Sequence, residues 1–168
     1  MRTTVIEHMF VLGIDPGLST TGYGLVEGSQ PPKALLAGAI RTGTDMETPD
    51  RLAELYRGLT QVIADAKPDV VALETIFTNR NLQTAISVGR ASGVALLAAA
   101  EAGIPVYEYV PTAIKSAVTG DGSANKSQVQ EMVARLLHLE EAPKPADAAD
   151  ALAIALCHLR AAPLQVSR

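Results

Sequence analysis

Val70, Val71, Ala72 and Leu73 form an uninterrupted apolar run of strand length, preceded by Pro68 and closed by Glu74. A strand with one wet face alternates apolar and polar side chains, so a run without a polar position requires cover on both faces of its sheet. The covering layers flank it in the chain. Upstream, Leu52, Leu55, Leu59, Val62 and Ile63 share one face at helical spacing, which predicts an amphipathic helix near residues 50–66, with Thr48 or Asp50 as its cap. Downstream, Arg80 to Ala102 is helical in pattern and almost wholly apolar or small, with Arg90 the only charge between Asn81 and Ala100. A helix with no polar face is expected to be buried all round.

The remaining elements complete one α/β layer structure. Phe10 to Ile14 and Gly22 to Val26 are apolar-rich runs on either side of an Asp15-Pro16-Gly17 turn, and Ala34 to Ile40 follows the Pro31-Pro32 break. Three strands so closely spaced suggest an antiparallel meander. Ile104 to Tyr109 gives a further strand and Pro111 to Val118 a short helix. Asn125 with Gln128 forms a capping-box pattern for a helix to about His138, and Pro143 and Pro145 precede a last helix from Ala146 to Ala161. The order fits a mixed five-stranded sheet flanked by helices in a single domain over residues 9–162, with 1–8 and 163–168 as tails.

Composition narrows the function. A single cysteine, Cys157, leaves no internal disulfide framework and no cysteine-rich zinc site; it reads as an inert core residue in a cytoplasmic, reducing setting. No apolar run is expected to approach the roughly 20 residues that span a bilayer. A net charge of −4 disfavours a basic, sequence-indifferent nucleic-acid coat. If four of the 18 acids sit on metal ions, however, the other 14 balance the 14 basic residues, and the ions supply positive charge.

Asp15 and Glu74 both stand where an apolar strand stops, and burying such a charge unpaired costs several kcal/mol. Asp147 and Asp150 are three apart on the last helix and therefore share a face, with only small residues between and beside them (Ala148, Ala149, Ala151) to let the helix approach the sheet. Taken singly, each has an ordinary reading: Asp147 as a helix cap, Glu74 as an exposed strand end, Asp15 as a turn residue. Together they form a cluster that cannot stay ionised near neutral pH without bound positive charge. Oxygen ligands without helpful His or Cys select Mg²⁺ or Mn²⁺, and such a site supports two-metal phosphodiester hydrolysis.

The run Val11-Leu12-Gly13-Ile14-Asp15-Pro16-Gly17-Leu18-Ser19-Thr20-Thr21-Gly22-Tyr23-Gly24 resembles the opening motif of the bacterial Holliday-junction resolvase family RuvC. Residues 72–77, 122–129 and 147–153 are similar to its other motifs in the same order, so the resemblance spans about residues 9–160. It implies an RNase H-like fold and a homodimer that resolves four-way junctions by paired nicks, leaving 5′-phosphate and 3′-hydroxyl ends. By motif position it implies Asp15, Glu74, Asp147 and Asp150 as ligands to two metal ions; some relatives have His at the place of Asp147. Lys115 and Lys126 match positions facing the DNA backbone, Phe77 an aromatic that wedges against unstacked bases, and Arg80 is a further expected DNA contact. The apolar helix would then pack on a second copy of the chain through Ala85, Gly89 and Gly93, where the roughly 1 kcal/mol cost of each helical glycine needs an offset. Cooperation with the RuvA–RuvB branch-migration complex is also implied.

Three rivals share parts of the pattern. The Gly13 to Gly22 segment is similar to the phosphate-binding turn of sugar kinases and actin-like ATPases, but those need two such lobes and no second copy of the turn is present here. A branched-DNA binder that has lost hydrolysis would lack acidic ligands, and all four are present. An RNA-processing nuclease of the same superfold is disfavoured by the Phe77 and Lys126 motifs.

Overall fold

A computed structural model describes residues 8–75 and 81–161. The chain runs β1 (Phe10–Asp15), β2 (Thr20–Glu27), β3 (Lys33–Arg41), α1 (Thr48–Ala66), β4 (Val70–Glu74), α2 (Leu82–Glu101), β5 (Val106–Tyr109), α3 (Pro111–Thr119), α4 (Lys126–Leu136) and α5 (Ala146–Ala161). The sheet order is β3-β2-β1-β4-β5; β1, β2 and β3 form the expected antiparallel meander, and β4 lies parallel to both β1 and β5. This is the mixed five-stranded sheet of an RNase H-like domain. Of the expected tails, residues 1–7 and 163–168 lie outside the described residues, while His8 is hydrogen-bonded through Nδ1 to Glu27 at 2.8 Å.

Period-two alternation sorts the strand residues between two cores. Leu12 and Ile14 of β1, Leu25 of β2, and Val71 and Leu73 of β4 pack with α1 and α2 through Leu55, Leu59, Ile63, Ala91, Ala95, Ala98 and Ala99. The opposite face carries Val11, Val26 and Ala72, which pack with α5, α3 and α4. Every residue from Ala151 to His158 is buried, so α5 is sandwiched between the sheet and the α3–α4 pair. Cys157 sits in that core, its thiol pushed up to about 11 by burial, which leaves it protonated and inert.

Two helix expectations need correction. Neither Thr48 nor Asp50 caps α1: Glu47 is the N-cap residue, without a side-chain cap, and Pro49 lies in the first turn. The first helical N–H groups have no partner in any case, so proline costs nothing there and its fixed φ starts the helix before Asp50. Nor is α2 buried all round. It buries Ala91, Ser92, Ala95, Ala98 and Ala99 but exposes Leu82 (73%), Ile86 (46%), Leu96 (38%) and Leu97 (52%). One sheet and one neighbouring helix can cover only one side of a cylinder, so the apolar pattern exceeds what a single copy uses. By length and composition α2 could also cross a membrane, against the expectation that no segment would qualify, although one side of it is built into the core around α1 and the sheet. The capping box at Asn125 forms as expected, with Gln128 N donating to Asn125 Oδ1 at 2.9 Å and Asn125 N to Gln128 Oε1 at 2.8 Å.

Candidate metal centre

Strand pairing brings two of the four acids together. β1 and β4 are parallel, with Ile14 opposite Leu73, so the next residues along, Asp15 and Glu74, end their strands side by side. Alternation then fixes the face: Gly13 and Ala72 look toward α5, and so do Asp15 and Glu74 two residues on.

Close approach of α5 supplies the other two. A Cβ at Gly13 would run into the Ala151 carbonyl, and one at Gly22 into the Asp147 main chain; at Gly24 it would lie 2.7 Å from Leu152 Cδ2. These glycines let α5 rest on the strand backbones, with Ala148, Ala149 and Ala151 as the matching small residues on the helix. Gly22 pairs with Asp15 in the β1–β2 ladder, so seating Asp147 on Gly22 places it over Asp15. Asp150 follows one turn along the same face.

Carboxylate oxygens of Asp15, Asp147 and Asp150 accordingly lie within 4.8 Å of one another, a spacing that could hold a metal ion. Glu74 is not part of that triad, but its charge acts on Asp15. Burial, reinforced by Glu74, Asp150 and Asp147, pushes the Asp15 carboxyl up to about 8, with only Lys126 pulling the other way. Burial also raises Asp150, although Lys126 opposes it through its charge and a 3.2 Å ion pair from Nζ to Oδ2. Desolvation outweighs that one ammonium, because Lys126 is largely exposed and its attraction is screened. The same pair raises Lys126 itself, chiefly through Asp150. Asp147 lies in the first turn of α5, one residue inside its start at Ala146 rather than at a cap, and there the helix dipole favours a negative charge. A pocket of partly desolvated carboxylates with no His or Cys donor fits a hard divalent cation, whose charge would allow all of them to ionise.

The other expected residues divide. Lys126 is in the site, but paired to Asp150 rather than standing free for a phosphate; Lys115, on α3, is half-buried and has no ion pair among the described residues. Phe77 and Arg80 lie outside the described residues. On α2, Gly93 is exposed and a Cβ there would meet nothing within 4 Å, while Ala85 and Gly89 are only partly buried. The roles of Gly13, Gly22 and Gly24 were missed, although a signal existed: Gly13 alternates with Asp15, and Gly22 with Gly24, on a single strand face.

Comparison with known proteins identifies the family. Residues 11–158 match the family model for crossover junction endodeoxyribonuclease RuvC. A protein of that name from Chloroflexus aggregans is 53% identical over 156 residues, covering 92% of this chain and 95% of its own. Another, from Salinispora arenicola, is 52% identical over 153 residues, covering 90% and 87%. Among solved structures, Thermus thermophilus RuvC in complex with Holliday junction substrate superposes with a TM-score of 0.85 at 37% identity, covering 94% of this chain and 97% of that one. With a family match running from the first strand almost to the end of α5, the chain belongs to the RuvC family of crossover junction endodeoxyribonucleases.

Proposed function

We propose that this chain resolves four-way (Holliday) DNA junctions in recombination and repair, acting as a cytoplasmic homodimer that makes two symmetric nicks and leaves 5′-phosphate and 3′-hydroxyl ends. The observation that carries the reading is the convergence of Asp15, Asp147 and Asp150 within 4.8 Å, at a depth where Asp15 resists ionisation. In this reading Asp15, Glu74, Asp147 and Asp150 hold two Mg²⁺ or Mn²⁺ ions. Bound there, such ions would supply hydroxide from water and neutralise charge on the departing 3′-oxygen. Desolvation keeps the carboxylates poised for a cation, and the glycine-seated α5 holds Asp147 and Asp150 in register with the strand ends. Lys126 orients Asp150 and offers its remaining N–H donors to an incoming phosphate. Lys115, Phe77 and Arg80 contribute further DNA contacts.

The dimer is supported by the unpartnered side of α2, where Leu82, Ile86, Leu96 and Leu97 lie exposed beside the open backbone of Gly93. A second copy related by a two-fold axis would cover that side and suit a substrate of near two-fold symmetry that needs two matched cuts. Cooperation with RuvA–RuvB belongs to the same reading. The test is a nicking assay with Mg²⁺ or Mn²⁺ on a four-way junction, a linear duplex and an RNA–DNA hybrid. Paired nicks confined to the junction are expected; preferential cutting of the hybrid would move the chain to RNA processing.

A further inference from the structure

The turn joining β1 to β2 carries a cation that the chemistry above does not use. Residues 17, 18 and 19 are each tied down from a different direction. Buried Thr21 donates through Oγ1 to Gly17 O at 2.6 Å and accepts from Gly17 N at 3.2 Å. Buried Thr42 donates through Oγ1 to Leu18 O at 2.6 Å. Arg51, in the first turn of α1, then closes the set: Nε donates to Thr42 Oγ1 at 3.0 Å and Nη2 to Ser19 Oγ at 2.8 Å.

Both of Arg51's partners are neutral hydroxyls. No carboxylate lies within ion-pair distance of it among the described residues, and Glu54, three residues along the same helix, does not reach it. Stapling a turn needs only hydrogen bonds, which a neutral side chain could provide. A positive charge in the first turn of a helix opposes the dipole, and although Asp50 neighbours it there, no carboxylate is ion-paired to the guanidinium among the described residues, which leaves it open to an anion from elsewhere. The donor inventory agrees. Two of five guanidinium N–H groups are used, and Ser19, having accepted from Arg51, keeps its own hydroxyl proton to give. The donors left over are the other guanidinium N–H groups and the Ser19 hydroxyl, at a half-buried arginine and an exposed serine.

Position selects the anion. Ser19 is four residues from Asp15, so their Cα atoms are at most about 14 Å apart. A nucleic-acid strand presents a phosphate about every 3.4 Å of helix axis, so a strand held at the metal centre passes within reach. We propose that Arg51, held by Thr42 and Ser19, is a phosphate-binding subsite for the DNA backbone flanking the cut. The proposal rests on the junction-cleaving reading above. A planar guanidinium whose direction is already set by two hydrogen bonds loses little freedom on binding, so it fixes strand register as well as adding charge.

The test is equilibrium binding of a fluorescent four-way junction to full-length wild type, Arg51→Gln and Arg51→Lys in EDTA, between 50 and 200 mM KCl. One lost phosphate contact lowers the slope of log affinity against log salt by about 0.9, so wild type should lose about 3.5-fold more affinity than Arg51→Gln across that range. Arg51→Lys should keep the wild-type slope. An unchanged slope for Arg51→Gln, with or without a lower melting temperature, would reduce Arg51 to a structural staple. Should Arg51→Gln not fold, phenylglyoxal labelling of wild type read by peptide mass spectrometry decides: junction DNA should protect Arg51, and equal labelling with and without DNA would overturn the proposal. Failure of wild type to prefer the junction over linear duplex would count instead against the proposed function.

Discussion

Replacing Asp15 with asparagine should stabilise the metal-free protein while destroying its capacity to bind metal. Asp15 has an unperturbed pKa of 3.8 and is pushed to about 8 in the folded chain, first by burial and then by Glu74, Asp150 and Asp147. A carboxyl whose pKa is higher folded than unfolded takes up protons on folding, so its stabilising effect is complete below pH 3.8 and is lost as pH rises toward 8. At about 1.4 kcal/mol per pH unit, the cumulative loss is under about 2 kcal/mol at pH 5 and about 5 at pH 8, a difference of at most about 4 kcal/mol. For a chain of this length, 1 kcal/mol shifts the melting temperature by roughly 2–4 °C, so the difference corresponds to about 10 °C. The assay is thermal unfolding of wild type and Asp15→Asn in EDTA from pH 5 to 8. Wild type should lose about 10 °C more than the variant over that range, and subtraction of the two profiles removes the contribution from His158, lowered by its burial. Mg²⁺ or Mn²⁺ added at pH 8 should restore wild type and leave Asp15→Asn unmoved. Parallel pH profiles, or an Asp15→Asn protein less stable than wild type at pH 8 without metal, would mean that Asp15 is neither desolvated nor crowded by its neighbours.

Two further substitutions probe how the site is built and how copies associate. Gly13→Ala drives a methyl into the Ala151 carbonyl and forces α5 off the sheet; overpacking of this kind costs about 1–3 kcal/mol or more, and chemical denaturation should show that loss together with weaker metal binding by calorimetry, because Asp147 and Asp150 move with the helix. Wild-type metal affinity in a folded Gly13→Ala protein would refute the seating role. Gly93→Leu meets open space among the described residues, so the fold should keep its melting behaviour at low concentration, while sedimentation should show the proposed α2-mediated dimer lost; a variant that still dimerises like wild type would place the interface on another face.

Much of the architecture was readable from local pattern. The all-apolar run 70–73 demanded a sheet covered on both sides, the capping box at Asn125 located α4, and the Pro143/Pro145 break bounded α5 at Ala146. These signals act over a few residues, within one turn or one pleat, so the chain states them wherever the segment lies in space. The same holds for the identity of the acids: a carboxylate ending an apolar strand, or two of them one helical turn apart, announces its unusual environment in the residues beside it.

Distances between segments obey a different rule, because they depend on which surfaces meet. The excess apolar content of α2 was plain, but its division into a covered side through Ala91 and Ala95 and a bare side through Leu82 and Leu97 arises from α1 and the sheet occupying one flank and none of the described residues covering the other. The triad forms within 4.8 Å because Gly13 and Gly22 allow backbone contact with α5, and Lys126 meets Asp150 because α4 docks beside that helix. Arg51 looks like any surface arginine until folding brings it the Ser19 hydroxyl of the β1–β2 turn and the Thr42 hydroxyl just past β3, with no carboxylate in an ion pair with it among the described residues. Packing between elements far apart in the chain is a collective result of their shapes, and no window along the chain contains it.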